Sequence, residues 1–421
     1  MKPKISKSVS AFKCTKSPVR EIMDLANPQF FKKAGLDPAE VISFSGGWVN
    51  HESPPELREA YAEIIRDEKR FHFIGGYSPT IGTPECRSAI VDFEKHLFGK
   101  RMKLAPANIA IGCNSTQLTF NLMHIMLSPG DKLLLPDPAY CNYPSQVTTL
   151  AGVNIIRFPL LDVKSWRFVA DEKVEAFATF IRKEKPKMIL LCAPDNPTSQ
   201  VPSTAFVKAA LEAAQDIGAF LVIDFAYKEL VWTDPVPEYF SWGPTDNFVS
   251  IHSNSKWCRG LGRRLGWVEG PVEIIEALEV VQGASILCPD SLHQLALVDY
   301  VKRGIAADSI RPYVRQTAKL YEAAARRTVR AINEHLKLPC LVPQGGLYTV
   351  VYSGVESSRF TMNVLKQTGV IVVPGWGFGN TLKKAIRLSY GPLVHHLDRI
   401  DVAMKRIGDL LAKNALRRRW P

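Results

Sequence analysis

Cysteine pairs, long apolar runs and internal repeats are all missing from this 421-residue sequence. Its eight cysteines are scattered, with no CxxC pair and no metal-ligand spacing of Cys and His, which argues against a disulfide framework and a zinc site. No stretch reaches the length of a membrane span, and the basic residues 1–17 lack the apolar core of a secretory signal. We therefore expect a cytoplasmic protein with no membrane partner.

Positive charge is in excess, at a formal net charge of +12, and its distribution indicates the kind of partner. The basic residues are spread along the chain; the dense clusters are residues 417–419 and the group Arg259, Arg263 and Arg264. No zinc-finger, homeodomain or RNA-binding motif accompanies them. The pattern favours anionic ligands over nucleic acid, and we expect no nucleic-acid partner.

The middle of the sequence alternates apolar β-type runs with helical stretches. The runs are 132–138, 154–160, 188–194, 219–227 and 248–252. They do not alternate between apolar and polar residues, so we expect strands that are buried on both faces and covered by helices. Residues 203–218 illustrate such a helix, with Ser203 as its N-cap and Gly218 as its stop. The pattern predicts an α/β fold with a mostly parallel central sheet and helices on both faces.

The character of the sequence changes near residue 291, where long helical stretches begin and are followed by short apolar runs at 345–354, 369–375 and 385–391. We expect a large α/β domain over residues 46–295, then a connecting helix and a smaller α+β domain over residues 296–421. Residues 1–45 have no core of their own, so we expect them to pack with the small domain.

Polar side chains follow several of the predicted strands directly. They are Asn196 after the run 188–194, Asp224 and Tyr227 at the end of the run 219–227, and Lys256 after the run 248–252. Because ligands of open α/β sheets bind at the carboxyl ends of the strands, we expect one pocket to collect these residues. The Gly- and hydroxyl-rich turn at 111–120 enters a helix, whose N-terminal N–H groups favour a phosphate.

Taken together, these segments resemble the fold-type-I pyridoxal-phosphate enzymes, in particular the class I and II aminotransferases of the 2-aminoadipate, kynurenine and aromatic subgroup. The family's S-x-S-K pattern with a following glycine and arginine is matched by "SNSKWCRGLGRR" (253–264), and its N-P-T and D-x-A-Y elements by "NPTS" (196–199) and "DFAY" (224–227). Further segments match in kind and order: "SPVREIM" (17–23), "ISFSGG" (42–47), "GYSPTIGTPECRSAI" (76–90), "LSPGDKLLLPDPAYCNY" (127–143), "PQGGLYTV" (343–350) and "IRLSYG" (386–391).

The resemblance implies pyridoxal 5'-phosphate as cofactor and the transfer of an amino group between an L-amino acid and a 2-oxo acid. It implies catalytic roles for Lys256, as the amine that forms a Schiff base with the cofactor, for Asp224, which would face the pyridine nitrogen, and for Tyr227. A Schiff-base lysine must lose its proton to react, and burial beside cationic groups lowers its pKa. Tyr227 and Asn196 would hydrogen-bond the phenolic oxygen of the cofactor.

The same resemblance implies the remaining contacts. Tyr140 would stack on the pyridine ring. The residues implied around the phosphate are Ser115, Thr116, Ser253, Arg264 and Tyr77, the last reaching across from the neighbouring subunit of a homodimer with shared active sites. Arg387 would grip the substrate carboxylate with a planar fork of donors, and Gly47 and Asn196 would lie beside the substrate. We interpret Arg20 as an ordinary helix arginine.

Other functions on the same scaffold stay open, because the fold does not fix which bond breaks. The alternative is a decarboxylase, lyase, cyclase or oxidase of an amino acid. A non-catalytic pyridoxal-phosphate-binding protein is less favoured, since Lys256, Asp224 and Arg387 are all present. Ser199 in place of the commoner glycine of the N-P-T-G element, the lack of a second acid in "DFAY", and Trp257 and Arg259 all indicate a specialised substrate or reaction.

Overall fold

The computed structural model of the protein describes residues 21–22, 27–99, 102–147, 150 and 152–416. Arg20 and the basic residues 417–419 lie outside the described residues. Within the described ranges we find no helix with the length and apolarity that crossing a membrane requires.

The helices of the described chain, in order, are α1 (Pro28–Lys33), α2 (Pro55–Arg66), α3 (Glu68–Ile74), α4 (Pro84–Phe98), α5 (Ser115–Met126), α6 (Asn142–Val147), α7 (Val174–Glu184), α8 (Thr204–Ile217), α9 (Asn254–Trp257), α10 (Val272–Ser285), α11 (Ser291–Ala306), α12 (Ile310–Ala331), α13 (Ser357–Thr368) and α14 (Leu397–Leu416). Short 3-10 turns lie at Pro38–Glu40, Pro106–Asn108, Asp171–Lys173, Glu238–Ser241, Gly375–Phe378, Asn380–Leu382 and Gly391–Leu393, and a π turn, Ile332–Leu336, extends α12.

The strands of the described chain are β1 (Ile42–Ser43), β2 (Ile109–Gly112), β3 (Lys132–Asp137), β4 (Asn154–Pro159), β5 (Leu161–Asp162), β6 (Arg167–Phe168), β7 (Met188–Cys192), β8 (Phe220–Asp224), β9 (Phe248–Ser253), β10 (Gly266–Glu269), β11 (Tyr348–Tyr352), β12 (Val370–Ile371), β13 (Val373–Pro374) and β14 (Ala385–Ser389).

A seven-stranded sheet in the order β2-β10-β9-β8-β7-β3-β4 forms the centre of the molecule. Its strands β4, β3, β7, β8 and β9 run parallel. Alternate side chains of β7 enter different clusters: Ile189 packs with α7 and α8 on one face, and Leu190 packs with α5 and α10 on the other. The predicted α/β fold with a mostly parallel sheet and helices on both faces is confirmed.

The five predicted apolar runs all form strands of this sheet, but β10 runs antiparallel to both of its neighbours. Between β9 and β10 the chain forms only the four-residue helix α9. A parallel crossover normally needs a covering helix that returns the chain to the starting edge, so this short connection brings the chain back antiparallel.

Helix α8 has the ends that the sequence predicts. The hydroxyl of Ser203 accepts the backbone N–H of Phe206 at 3.2 Å, and Gly218 adopts the left-handed conformation with φ +63°. Both groups satisfy the helix termini, which places the start of β8 directly after the turn.

A smaller antiparallel sheet in the order β11-β14-β13 lies on the C-terminal side of the chain. The short strand β1 pairs in parallel with β12, and Phe31 of α1 packs with Leu365 and Ile371. These contacts join the N-terminal residues to the C-terminal ones. The division into residues 1–45, 46–295 and 296–421 stays a prediction.

Candidate active site

A cavity of about 180 Å³ lies among the residues that follow the parallel strands. Of the side chains singled out from the sequence, it is lined by Ser115, Thr116, Tyr140, Asn196, Asp224, Tyr227, Ser253, Lys256 and Arg264. They come from the start of α5 and from the chain at or just beyond the carboxyl ends of β3, β7, β8 and β9. The structure therefore brings together residues that are far apart in sequence, as the sheet topology requires.

Lys256 lies in α9, one turn beyond the end of β9, and Ser253 caps that turn by accepting the N–H of Ser255. Its ammonium nitrogen donates to the carbonyl of Gly47. Burial, with smaller contributions from Arg264 and Arg387, lowers the pKa of Lys256 to about 7, and the charge of Asp224 opposes this shift. Near neutral pH a large fraction of the amine is unprotonated, which is the state that can attack a carbonyl.

Asp224 is the last residue of β8, and its carboxylate is buried and accepts two hydrogen bonds. The Tyr143 hydroxyl donates to its Oδ2 at 2.8 Å, and the Ala226 N–H donates to its Oδ1 at 3.0 Å. Burial raises the pKa of Asp224 to about 6, although both hydrogen bonds and the charge of Lys256 lower it. The aspartate is thus an oriented acceptor in an apolar setting, where a cationic ring nitrogen would be strongly favoured.

Anion-binding groups converge on the same cavity. Ser115 and Thr116 begin α5, which Asn114 caps by accepting the Gln117 N–H. The hydroxyls of Ser253 and Ser255 are 2.9 Å apart, and a guanidinium nitrogen of Arg264 lies 3.5 Å from the Ser255 hydroxyl.

Asp224 is the only acid among the cavity-lining residues of the described chain. A helix N-terminus, hydroxyls and an arginine with a single carboxylate nearby have the chemistry of a phosphate site, so the residues present fit a phosphorylated cofactor.

Arg387 is a buried cation whose hydrogen bonds end on neutral oxygens. Its side chain is 2% exposed and donates to Asn196 Oδ1 at 3.1 Å and to the Ser45 carbonyl at 2.8 Å. Its Nε has no hydrogen-bond partner within the described residues. The guanidinium carbon lies 4.4 Å from the ring centre of Tyr348 and 4.9 Å from that of Phe378. A carboxylate entering this site would supply a negatively charged partner for the Arg387 guanidinium.

Hydrogen bonds connect this arginine to the cavity. Asn196 donates to the hydroxyl of Tyr227 at 3.4 Å, and Tyr227 shares a hydrogen bond of 2.8 Å with the hydroxyl of Tyr348. Gly47, whose carbonyl accepts from Lys256, lies against Tyr348, because a Cβ at this glycine would overlap the tyrosine hydroxyl. The structure therefore places Gly47, Asn196 and Arg387 in one network with Lys256.

Tyr77 does not line this cavity. Its side chain is 87% exposed and borders a surface groove of about 840 Å³, together with Phe73, Leu295 and Val298. The contact of Tyr77 with the phosphate site of the neighbouring subunit stays a prediction. Tyr140 faces Tyr143 edge to face, with ring centres 5.3 Å apart.

Two tyrosines of the site were not expected from the sequence. Tyr143 follows Tyr140 by three residues in "PDPAYCNY", and the start of α6 turns it towards Asp224. Tyr348 lies in "PQGGLYTV", a segment of the resemblance to which no role was assigned. Helical spacing could have suggested Tyr143, whereas the position of Tyr348 depends on how the smaller sheet meets the large one.

A second buried polar cluster lies next to the cavity, one residue away from Tyr227 and Ser253. Lys228 donates to Glu94 at 2.6 Å, and His252 lies 3.5 Å from Glu94 and 3.3 Å from Glu269. Burial, followed by the charge of Glu94, raises the pKa of Glu269 to about 8. Burial and the charge of Glu94 therefore favour the neutral form of Glu269.

Known proteins share this architecture over nearly the whole chain. An aspartate aminotransferase of Pyrococcus horikoshii is 23% identical over 397 residues, which are 93% of this chain and 95% of the relative. An aromatic-amino-acid aminotransferase 2 of Thermococcus litoralis is 25% identical over 418 residues, covering 95% and 97%. The solved aspartate aminotransferase of Thermus thermophilus with maleate superposes with a TM-score of 0.80 at 20% identity, covering 96% of this chain and 100% of that one.

The sequence model of the family described as aminotransferase class I and II matches residues 39–407. This match contains every predicted cavity residue and Arg387. The chain therefore belongs to the class I and II aminotransferases.

Proposed function

We propose that this enzyme, a pyridoxal-phosphate-dependent aminotransferase acting on an L-amino acid and a 2-oxo acid, uses Lys256, Asp224 and Tyr227 as its catalytic residues. The observation that carries the proposal is the amine of Lys256, whose pKa is lowered to about 7 in a cavity that also holds anion donors and a buried aspartate. The chemistry that the cofactor supplies when bound is reversible capture of amines and withdrawal of electrons from the substrate α-carbon.

The residues that would hold the cofactor divide into three groups by chemistry. Ser115, Thr116, Ser253 and Arg264 would bind the phosphate. Asp224 would pair with the ring nitrogen, and its bond from Tyr143 fixes the carboxylate orientation. Tyr140 would cover the ring face, and Asn196 and Tyr227 would contact the phenolic oxygen. The hydrogen bond between Asn196 and Tyr227 supports the proposal that both contact the phenolic oxygen of the cofactor.

Lys256 is also the group placed to move a proton during the reaction. Its unprotonated Nζ could accept the proton that leaves the substrate α-carbon and return a proton to the cofactor carbon on the other side of the amino nitrogen, because general bases work best when their pKa is near the operating pH. Arg264 and Arg387 disfavour the protonated amine, and Asp224 favours it. Burial of the amine makes the largest contribution, and together with these charges it lowers the pKa of Lys256 to about 7.

Arg387 would bind and orient the substrate α-carboxylate. The hydrogen bond from Arg387 to Asn196 fixes the orientation of the guanidinium, and the rings of Tyr348 and Phe378 pack against it. Because its hydrogen bonds go to the neutral oxygens of Asn196 and Ser45, the guanidinium charge would pair with the carboxylate in a desolvated setting. Asn196 and Gly47 would then lie beside the bound substrate.

We also propose a homodimer in which Tyr77 reaches the phosphate site of the neighbouring subunit. Phe73 and Tyr77 are 62% and 87% exposed and border the same groove, and exposed apolar surface of this kind marks interaction sites. A second copy of the chain would cover it. Localisation in the cytoplasm stays a prediction, supported by the free thiols of the described cysteines.

Spectroscopy of the half-reaction tests the proposed function. The holoenzyme, mixed with an amino donor and no oxo acid, should convert its cofactor absorbance to the pyridoxamine form, and a 2-oxo acid should restore it. Lys256→Ala should show neither change while retaining the fold. Release of carbon dioxide or ammonia without the pyridoxamine spectrum would contradict amino transfer by this site.

A further inference from the structure

Tyr348 connects the smaller sheet to the cavity. It begins β11, is 1% exposed, and its hydroxyl lies 2.8 Å from the hydroxyl of Tyr227, with the two rings edge to face at 5.7 Å. The guanidinium carbon of Arg387 lies over its ring, 4.4 Å from the ring centre. Tyr348 therefore contacts both Tyr227, which we propose binds the phenolic oxygen of the cofactor, and Arg387, which we propose binds the substrate carboxylate.

The contact with Tyr348 determines how many hydrogen bonds the hydroxyl of Tyr227 can still form. A phenol has one proton to donate and two lone pairs, and Asn196 already donates to the Tyr227 oxygen. If Tyr348 donates to the second lone pair, the proton of Tyr227 stays free to donate to a ligand oxygen. Donation from Tyr348 also polarises the Tyr227 O–H and makes it a stronger donor.

Ser199 fixes the backbone of Tyr348. This serine is fully buried, and its hydroxyl accepts the Tyr348 N–H at 2.9 Å, while its carbonyl accepts the N–H of Gln344 at 2.9 Å. The register of β11 against β14 leaves the Tyr348 N–H facing Ser199, so this hydroxyl is the acceptor that satisfies it.

The backbone of Ser199 is left-handed, with φ +56°. Glycine adopts this conformation without the steric cost of a Cβ, so a serine here costs roughly 1 kcal/mol unless its side chain compensates. The bond to the Tyr348 N–H offsets part of this cost. Ser199, at the position of the glycine in the N-P-T-G element, thus contacts the backbone N–H of Tyr348, and the hydroxyl of Tyr348 in turn contacts Tyr227.

We propose that Ser199 and Tyr348 are a positioning pair, in which Ser199 anchors the backbone of Tyr348 and the hydroxyl of Tyr348 orients that of Tyr227 towards the cofactor. The proposal rests on the proposed role of Tyr227 at the phenolic oxygen. Neither residue of the pair is assigned a contact with substrate.

The pH titration of the bound cofactor's visible absorbance tests the pair without relying on turnover. A weaker donor at Tyr227 stabilises the phenolate less, so Tyr348→Phe should raise the apparent pKa of this absorbance by about 0.3 to 1 unit, the range of one neutral hydrogen bond. The matched control is Tyr239→Phe, which removes a hydroxyl that is bonded to Pro202 in a buried cluster outside the cavity and should leave the absorbance pKa unchanged.

Ser199→Gly separates positioning from structural support. The glycine relieves the left-handed backbone but removes the acceptor of the Tyr348 N–H, so Ser199→Gly should lower the melting temperature less than Ser199→Ala, which loses the acceptor and keeps the strain. The matched variant Lys185→Gly, at another left-handed position with φ +48°, should not lower it. The absorbance pKa should nevertheless rise in Ser199→Gly and in Ser199→Ala. In the double variant Ser199→Gly/Tyr348→Phe the shift should equal that of Tyr348→Phe alone, since Ser199 acts through the tyrosine.

Tyr227→Phe distinguishes failure of the pair from failure of the proposed function. A shift in Tyr227→Phe with no shift in Tyr348→Phe would overturn the positioning pair and leave the role of Tyr227 intact. No shift in either variant would overturn both. Additive shifts in the double variant, or a shift in Tyr239→Phe as large as in Tyr348→Phe, would also reject the pair.

Discussion

Replacing Arg387 removes the cation that we propose binds the substrate carboxylate. In Arg387→Met the volume and apolar contacts with Tyr348 and Phe378 are largely kept, whereas the charge and the donors to Asn196 and Ser45 are lost. Because Arg387 is 2% exposed, water would not replace it beside an incoming carboxylate. The perturbation therefore approaches the loss of one partner of a buried ion pair.

Such a loss costs about 3–5 kcal/mol. At about 1.4 kcal/mol for each tenfold change, kcat/KM for an amino acid should fall by two to four orders of magnitude. Arg387→Lys keeps the charge but loses the planar fork, so it should also fall at least tenfold. Arg406→Lys, at an exposed ion pair with Glu40, is the matched control and should be close to the parent enzyme.

Steady-state kinetics with an amino acid and with the corresponding amine that lacks a carboxylate provides the assay. The amino-acid reaction should drop steeply in Arg387→Met, the weak amine reaction should hardly change, and the cofactor absorbance should stay normal. Equal losses for both substrates would refute the assignment, because they would show that Arg387 supports the structure and does not bind the carboxylate.

Two further predictions concern the second buried cluster and the subunit boundary. Burial raises the folded-state pKa of Glu269 to about 8, so its contribution to stability is lost as the pH rises from about 4.5 to 8. Glu269→Gln should therefore flatten the fall in melting temperature between pH 5 and 8, and an unchanged slope would contradict the raised pKa. Mixing the inactive chains Lys256→Ala and Tyr77→Ala should restore activity through one intact composite site per heterodimer. No recovery in verified heterodimers of individually inactive chains would argue against shared sites.

The large sheet and most of the cavity could be predicted because their signals are local. Apolar runs without alternation mark strands buried on both faces, and the polar residues that follow them must meet at the carboxyl edge of a parallel sheet. Asp224 and Lys256 come to one cavity for this reason, although they belong to different strands. The N-cap and the glycine stop of α8 were equally local.

The remaining features depend on contacts that no local pattern encodes. Tyr227 and Tyr348 are separated by 121 residues, and their hydroxyls meet because the start of β11 packs in one apolar cluster with the residues that follow β8. The antiparallel direction of β10 follows from the short connection after Lys256, and the partners of Glu269 follow from the strand register that results. Each of these depends on tertiary geometry, which outweighs residue preference.

The identity of the lysine that holds the cofactor is the central claim, and reduction with borohydride tests it most directly. Treatment of the holoenzyme followed by proteolysis and mass spectrometry should place the pyridoxyl label on the peptide that contains Lys256, and Lys256→Ala should carry no label while still folding. Lys228, the next lysine before it in the sequence and bonded to Glu94, should remain unlabelled. A label on any lysine other than Lys256 would contradict the account.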